Sequence, residues 1–303
     1  MMKNKTILLM MLLKVPGIGG QTVRKIMEKE IDVDKSVDNW NFLSELEITI
    51  VKKAVTSGKL SDEIWNQYHQ EVLQELEQAK AIGVEIISYL DESYPQRLLK
   101  LQRFPVILYA MGNIELLNAE RMVTIVGTRK PTEYGIECDI ELTEWLSLEQ
   151  GYVVVSGLAQ GCDAYTHGTA EKTIAVVAHG LDQPIYPRKN APLAKSILEK
   201  GGLLITTYPL GTKIIPQHLA ARDEWQSGLG DGVIVIETGL TGGTHTTISY
   251  ALKQSKPLAI LKFDEYCKNN FGNEKLLNNL AFDGLNGMDT CINFVKRMQR
   301  EAK

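Results

Sequence analysis

Met122-Val123-Thr124-Ile125-Val126-Gly127-Thr128-Arg129-Lys130-Pro131 decides how the rest of the chain is read. A short run of β-branched residues ends in glycine, then come a threonine, two cations and a proline, and a helical pattern begins near Tyr134. The order predicts a buried strand that delivers a loop to a helix start. Backbone N–H groups at such a start have no intrahelical acceptor, and the helix dipole adds partial positive charge, so the place suits an anion. Gly127, Thr128, Arg129 and Lys130 are therefore candidate phosphate ligands. An ordinary βα turn with surface cations would carry the same residues, so the surrounding chain has to decide.

Downstream, strand-like runs at 123–126, 152–155, 173–178, 203–206, 233–236 and 257–261 alternate with helical or turn-rich segments. The runs lack polar alternation, which predicts strands buried on both faces, and their alternation with helices predicts a doubly wound parallel sheet. Such sheets bind ligands in crevices at the carboxyl ends of their strands. Two more loops at that edge repeat the first. Ser156-Gly157-Leu158-Ala159-Gln160-Gly161-Cys162-Asp163 places a hydroxyl and two glycines straight after a strand, so Ser156 and Gly157 can offer a hydroxyl and a close backbone. Glu237-Thr238-Gly239-Leu240-Thr241-Gly242-Gly243-Thr244 does the same with Gly242, Gly243 and Thr244. Three glycine- and hydroxyl-rich turns on one sheet edge predict a phosphate-lined site. Glu237, Asp163 and His167 read as loop braces rather than catalytic groups.

The N-terminal segment differs in character. Leu12 to Ile26 carries helical apolar spacing broken by Pro16-Gly17-Ile18-Gly19, which predicts two helices joined by a glycine hairpin and resembles the helix-hairpin-helix motif. In that motif the turn's N–H groups can hold a nucleic-acid phosphate without reading sequence, although a plain helical packing module has the same pattern. Residues 42–80 continue as helices, with Ile64, Tyr68, Val72, Leu73 and Leu76 as the expected core stripe. The resulting division is a helical domain over 1–80 and an α/β domain over 81–303. The latter comprises a docking extension at 81–121, the core sheet at 122–262 and a tail at 263–303.

The chain has 303 residues, 44% hydrophobic and 23% charged, with a formal charge of −4. This balance excludes coating of nucleic acid by bulk charge, so a polyanion site has to be built locally. Its four cysteines are widely spaced without a C-x-x-C pair, which predicts free thiols and no zinc. The longest apolar run, Ile7 to Leu13, is too short to span a bilayer and no cleavage pattern follows it, so a cytoplasmic protein without membrane contact is expected. No cofactor is expected.

The ordered set of motifs resembles the DprA (Smf) DNA-processing family. The resemblance runs from Gly127-Thr128-Arg129 with Tyr134-Gly135 through Ser156 to Ala164 with His167. It continues through Gly180-Leu181-Asp182, Tyr186-Pro187, Asn190, Tyr208-Pro209, Arg222, Glu237 and Thr241 to Thr244, and ends in Gly272 to Leu277. Upstream, the glycine hairpin, Tyr94-Pro95 and Gly112-Asn113 also fit. The resemblance implies an extended Rossmann-like domain behind a small helix-hairpin-helix or SAM-like domain. It further implies single-stranded DNA binding, a homodimer, and help in loading a RecA-type recombinase. Arg129 and Arg222 would contact phosphates, and Lys213 would lie in a loop where the family places cations against the strand.

The chain also departs from the family. Where the family has Arg-Asn-Arg and two apolar residues, it has Arg222-Asp223-Glu224-Trp225-Gln226, exchanging a cation for a carboxylate that should repel phosphate. Trp225 reads as a core or interface aromatic, with a stacking platform as the other reading. The segment between His167 and Thr173 is short, and the tail from Asp264 is too short and too weakly basic for a winged helix. A nucleotide sensor or phosphoribohydrolase of the same superfamily is the alternative. The hydrolase would need a glutamate soon after its glycine turn, and Thr244-His245-Thr246-Thr247-Ile248 has none.

Overall fold

The computed structural model describes residues 2–279 and 281–302. Two compact units emerge: residues up to Tyr94 together with Gln102–Tyr109, and Pro95–Leu101 together with Ala110 onward.

The first unit is built around α1 (Met2–Lys14), whose Ile7 to Leu12 are all buried, the signature of a helix enclosed on every side. The predicted hairpin follows. Gly17 takes a left-handed φ of +88°, and α2 (Gly20–Met27) starts behind it. The hairpin's nearest cations are engaged elsewhere in the unit. Arg24 lies over the Phe104 ring at 4.0 Å and donates to Gln102 O, and Lys14 pairs with Glu71 at 3.1 Å. Two short helices, α3 (Val33–Asp38) and α4 (Thr49–Thr56), lead to α5 (Asp62–Ala81). Ser61 caps α5 by accepting from the Ile64 amide. The face that α5 buries differs from the expected stripe: Trp65, Val72 and Ala79 form it, while Ile64, Tyr68, Leu73 and Leu76 are only half-buried. Trp65 is fully enclosed because its indole N–H donates to Ser36 O and Val37 O, which satisfies the one polar atom that burial would strand. The helical unit also runs past residue 80, through β1 (Val84–Ser88), and the chain leaves it along β2 (Ile107–Gly112).

The second unit opens with the short α6 (Gln96–Leu99) and holds the parallel sheet. Its strands are β3 (Met122–Val126), β4 (Val153–Ser156), β5 (Thr173–Val176), β6 (Leu203–Thr206), β7 (Val233–Val235), β8 (Leu258–Leu261) and β9 (Asp283–Leu285). They lie in the order β6-β5-β4-β3-β7-β8-β9, every neighbouring pair parallel. Alternate residues face opposite layers. Val123, Ile125, Ile234, Ile236, Ala259 and Leu261 pack with Trp145, Phe294 and Met298, whereas Val126, Val233, Val235, Leu258 and Ile260 pack with Ile248 and Ala251. The period of two explains why these runs are apolar throughout. The helices of this unit are α7 (Glu133–Glu144), α8 (Cys162–Thr169), α9 (Ala191–Glu199), α10 (Pro216–Leu229), α11 (Thr244–Lys253), α12 (Phe271–Leu277) and α13 (Met288–Glu301). This is the expected Rossmann-like α/β fold. Successive strands step one way from β3 to β6 and the other way from β7 to β9, so the switch point lies between β3 and β7. Among the described residues no helix is long and apolar enough to cross a membrane.

Candidate nucleic-acid interface

A cleft of about 460 Å³ opens at the switch point, between the loop after β3 and the loop after β7, with the first turns of α10 along its floor. Gly127, Thr128 and Arg129 line one wall, and Thr238, Gly239, Thr241, Gly242, Gly243 and Thr244 line the other. The first and third glycine-rich turns therefore meet as the sequence predicts. Gly243 precedes the first turn of α11, and the Gly243 and Thr244 amides have no acceptor among the described residues. They leave donors and the positive end of a ten-residue helix facing the cleft.

The Arg129 loop is tied on both sides of the arginine. The Thr128 amide donates to Glu237 O at 2.6 Å, Thr128 O accepts from the Cys162 amide, and Lys130 O accepts from Asn269 Nδ2. Thr244 Oγ1 donates to Gly127 O. Gly127 lies so close to Cys162 Sγ, and Gly161 to the Thr128 and Arg129 backbone, that neither place has room for a Cβ. Glu237 ties the far end: its Oε2 accepts from the Thr132 amide at 2.8 Å and from Thr132 Oγ1 at 3.1 Å, and it takes the space a side chain at Gly135 would fill. Glu237 is thus a loop brace, with burial pushing its carboxyl above the usual range. Arg129 and Lys130 stand exposed on this fixed backbone, and among the described residues the Arg129 guanidinium makes no hydrogen bond or ion pair. Glu237→Ala should leave the half-buried Thr132 amide without an acceptor and speed its hydrogen exchange by at least about tenfold. Glu237→Gln, which still presents an acceptor, should keep most of the protection. Equal exchange in wild type and the alanine variant would remove Glu237 from the role.

The family model of DNA recombination-mediator protein A matches residues 85–295. The chain belongs to this family. It is 33% identical to DNA processing protein DprA of Bacillus subtilis over 72% of its own length and 74% of the relative's. Other curated relatives, the Smf proteins of Escherichia coli and Synechocystis, are matched over about half of their length. Among solved structures, DprA from Streptococcus pneumoniae superposes with a TM-score of 0.72 over 96% of this chain and 97% of that one, at 24% identity. DNA processing protein A from Helicobacter pylori, solved to describe its single-stranded DNA binding mode, gives a TM-score of 0.64 at 28% identity, over 72% of this chain and 96% of that one.

In this DprA-family chain the second glycine turn does other work than expected. Ser156, expected to offer its hydroxyl to phosphate, is fully buried and donates to Ile125 O at 2.7 Å. The Gly157 amide is spent on Asp163 Oδ2, which also accepts from the Ala159 amide. His167 Nε2 accepts from the Leu158 amide and Asn190 Nδ2 donates to Leu158 O and Ala159 O, so the turn is braced on all sides. Burial and the nearby Arg222 charge hold His167 neutral, its pKa lowered to about 3. The expected brace roles of Asp163 and His167 are those the hydrogen bonds assign.

Arg222 lines the cleft, but in a different setting from the expected one. Expected at a phosphate, it is 6% exposed, with Nη1 donating to Val176 O at 3.1 Å and to Gln226 Oε1 at 2.8 Å. Its guanidinium lies against Gly157 so tightly that any Cβ there would overlap it. Asp223 stands beside it, 3.2 Å from Nε, also buried and also lining the cleft. The close approach of Arg222 therefore by itself requires glycine at 157. Lys130 and Lys213 are exposed but outside the cleft lining, and Trp225 is half-buried and outside it as well. The four cysteines are free, and no cluster of metal-binding side chains occurs among the described residues.

Proposed function

We propose that this protein binds single-stranded DNA as a DNA-processing protein, helps load a RecA-type recombinase during DNA uptake or recombination, and does so as a cytoplasmic homodimer by binding rather than by catalysis. The observation that carries the reading is Arg129, an exposed cation on a loop tied at Thr128 and Lys130, beside the free amides of a helix start at the sheet's switch point. A guanidinium and fixed N–H donors are what a sugar-phosphate backbone requires, and they read no sequence. Gly127, Thr128, Gly242, Gly243 and Thr244 supply the walls, with Lys130 and Lys213 as outlying cations. Membership of the family supports the reading, as does the single-stranded DNA binding described for the Helicobacter pylori relative.

Fluorescence anisotropy with oligo-dT and a duplex of equal length across a salt series tests it. Preferential binding of the single strand is expected, with log affinity falling against log salt by about 0.7 per phosphate contacted. The few free cations at the cleft predict a shallow slope. Equal affinity for both nucleic acids, or none for either, would sink the reading.

A further inference from the structure

The charge at the cleft floor is balanced from within. Asp223 Oδ1 lies 3.2 Å from Arg222 Nε, yet Nε, although buried, has no hydrogen-bond partner among the described residues. The contact is one of charge without hydrogen-bond alignment. Across the cleft Arg129 is near enough for its charge to act on Asp223. A carboxylate held against one guanidinium, in a cleft that a second guanidinium also lines, stands where an arriving phosphate would meet it. We infer that Asp223 is a built-in competitor for the phosphate, setting the affinity of this cleft for anionic ligands and coupling their binding to proton uptake. The inference rests on the proposed reading in one respect, that the cleft receives a phosphate.

The groups facing Asp223 come from four places. Arg222 and Glu224 share its helix, Asp163 comes from α8, Arg129 from the loop after β3, and Tyr250, whose titration Asp223 and Glu224 disturb, from α11. Burial raises the Asp223 carboxyl to about 6, Asp163 pushes the same way, and the two arginines oppose them. As pH falls through that value the carboxylate gains a proton and the cleft loses a negative charge. An arriving phosphate then meets less repulsion. In the other direction, a bound phosphate disfavours the carboxylate further, so the complex takes up a proton. Asparagine at 223 has the same shape without the charge and should hold the cleft permanently in its receptive form.

Oligo-dT affinity measured for wild type and Asp223→Asn at constant ionic strength, from about pH 8 down to about pH 5.5, is the test. The asparagine variant should bind about tenfold more tightly than wild type at the alkaline end, the effect of one pKa unit of coupling, and the two curves should converge at the acid end. Identical affinity and identical pH dependence in the two proteins would overturn the inference. Thermal shift with inorganic phosphate separates this outcome from failure of the DNA reading. If neither protein binds oligo-dT but phosphate stabilises Asp223→Asn more than wild type, the competitor role stands and the strand does not. Asp223→Ser serves as the second neutral variant, and a response in neither variant counts against the inference.

Discussion

Arg129→Ala should weaken single-stranded DNA binding by at least about tenfold and reduce the salt slope by about 0.7, the loss of one phosphate contact. The expectation follows from how little else at the cleft is free to bind. The Ser156 hydroxyl is spent on Ile125 O of β3 and the Gly157 amide on Asp163, and Arg222 is buried beside Asp223. The Arg129 side chain is exposed and its backbone is already fixed, so little ordering of the loop opposes contact. The effect should be uniform across sequences, because a guanidinium on a phosphate carries no base information. Arg129→Lys should recover part of the affinity, since a lysine keeps the charge but not the planar fork. Melting temperature should change little, since the guanidinium makes no hydrogen bond or ion pair in the folded protein and acts on Asp223 only through its charge. An alanine variant that binds like wild type would remove Arg129 from the interface.

Much of this was legible in the residues, and what was not has identifiable causes. The strands from β3 to β8 were readable because burial on both faces leaves uninterrupted apolar runs. β9 was not, because Asp283-Gly284-Leu285 is three residues long and carries one apolar side chain. The enclosed face of α5 escaped because Trp65 carries a polar atom that only tertiary contacts with Ser36 and Val37 satisfy. At the cleft, glycines and hydroxyls picked out loops that line it, since a close backbone approach demands glycine whatever approaches. They could not say what approaches. At Gly127 and Gly161 it is the neighbouring loop, at Gly135 the Glu237 carboxylate, and at Gly157 the Arg222 guanidinium. Whether an arginine faces a ligand or the core depends on which side of α10 the sheet covers, and the helix has too mixed a composition for its pattern to say.

That placement of Arg222 leads to the largest expected effect on stability. Arg222→Ala would strip the partner from Val176 O and Gln226 Oε1 and leave Asp163 and Asp223 buried without their compensating charge. Breaking a buried ion pair from one side costs about 3–5 kcal/mol. In a unit of this size that corresponds to a fall in melting temperature of about 6–20 °C. The loss should depend on pH in a definite direction. Both carboxyls already titrate above the usual range through burial, Asp223 at about 6, and Arg222 is what opposes the shift. The folded protein therefore holds protons on these groups that the unfolded chain releases near 3.8, and their favourable contribution fades as pH rises through the folded values. Removing Arg222 raises the folded values further, so the penalty should be greatest near neutral pH and shrink on acidification. Scanning calorimetry of wild type and variant at neutral and mildly acid pH reads this directly. A variant that melts like wild type, or whose penalty grows on acidification, would show that Arg222 is not the cation neutralising the floor. It would then have to be considered again as a contact for the strand. The two arginines thus separate by measurement: loss of Arg129 should cost binding with little change in stability, whereas loss of Arg222 should cost the fold.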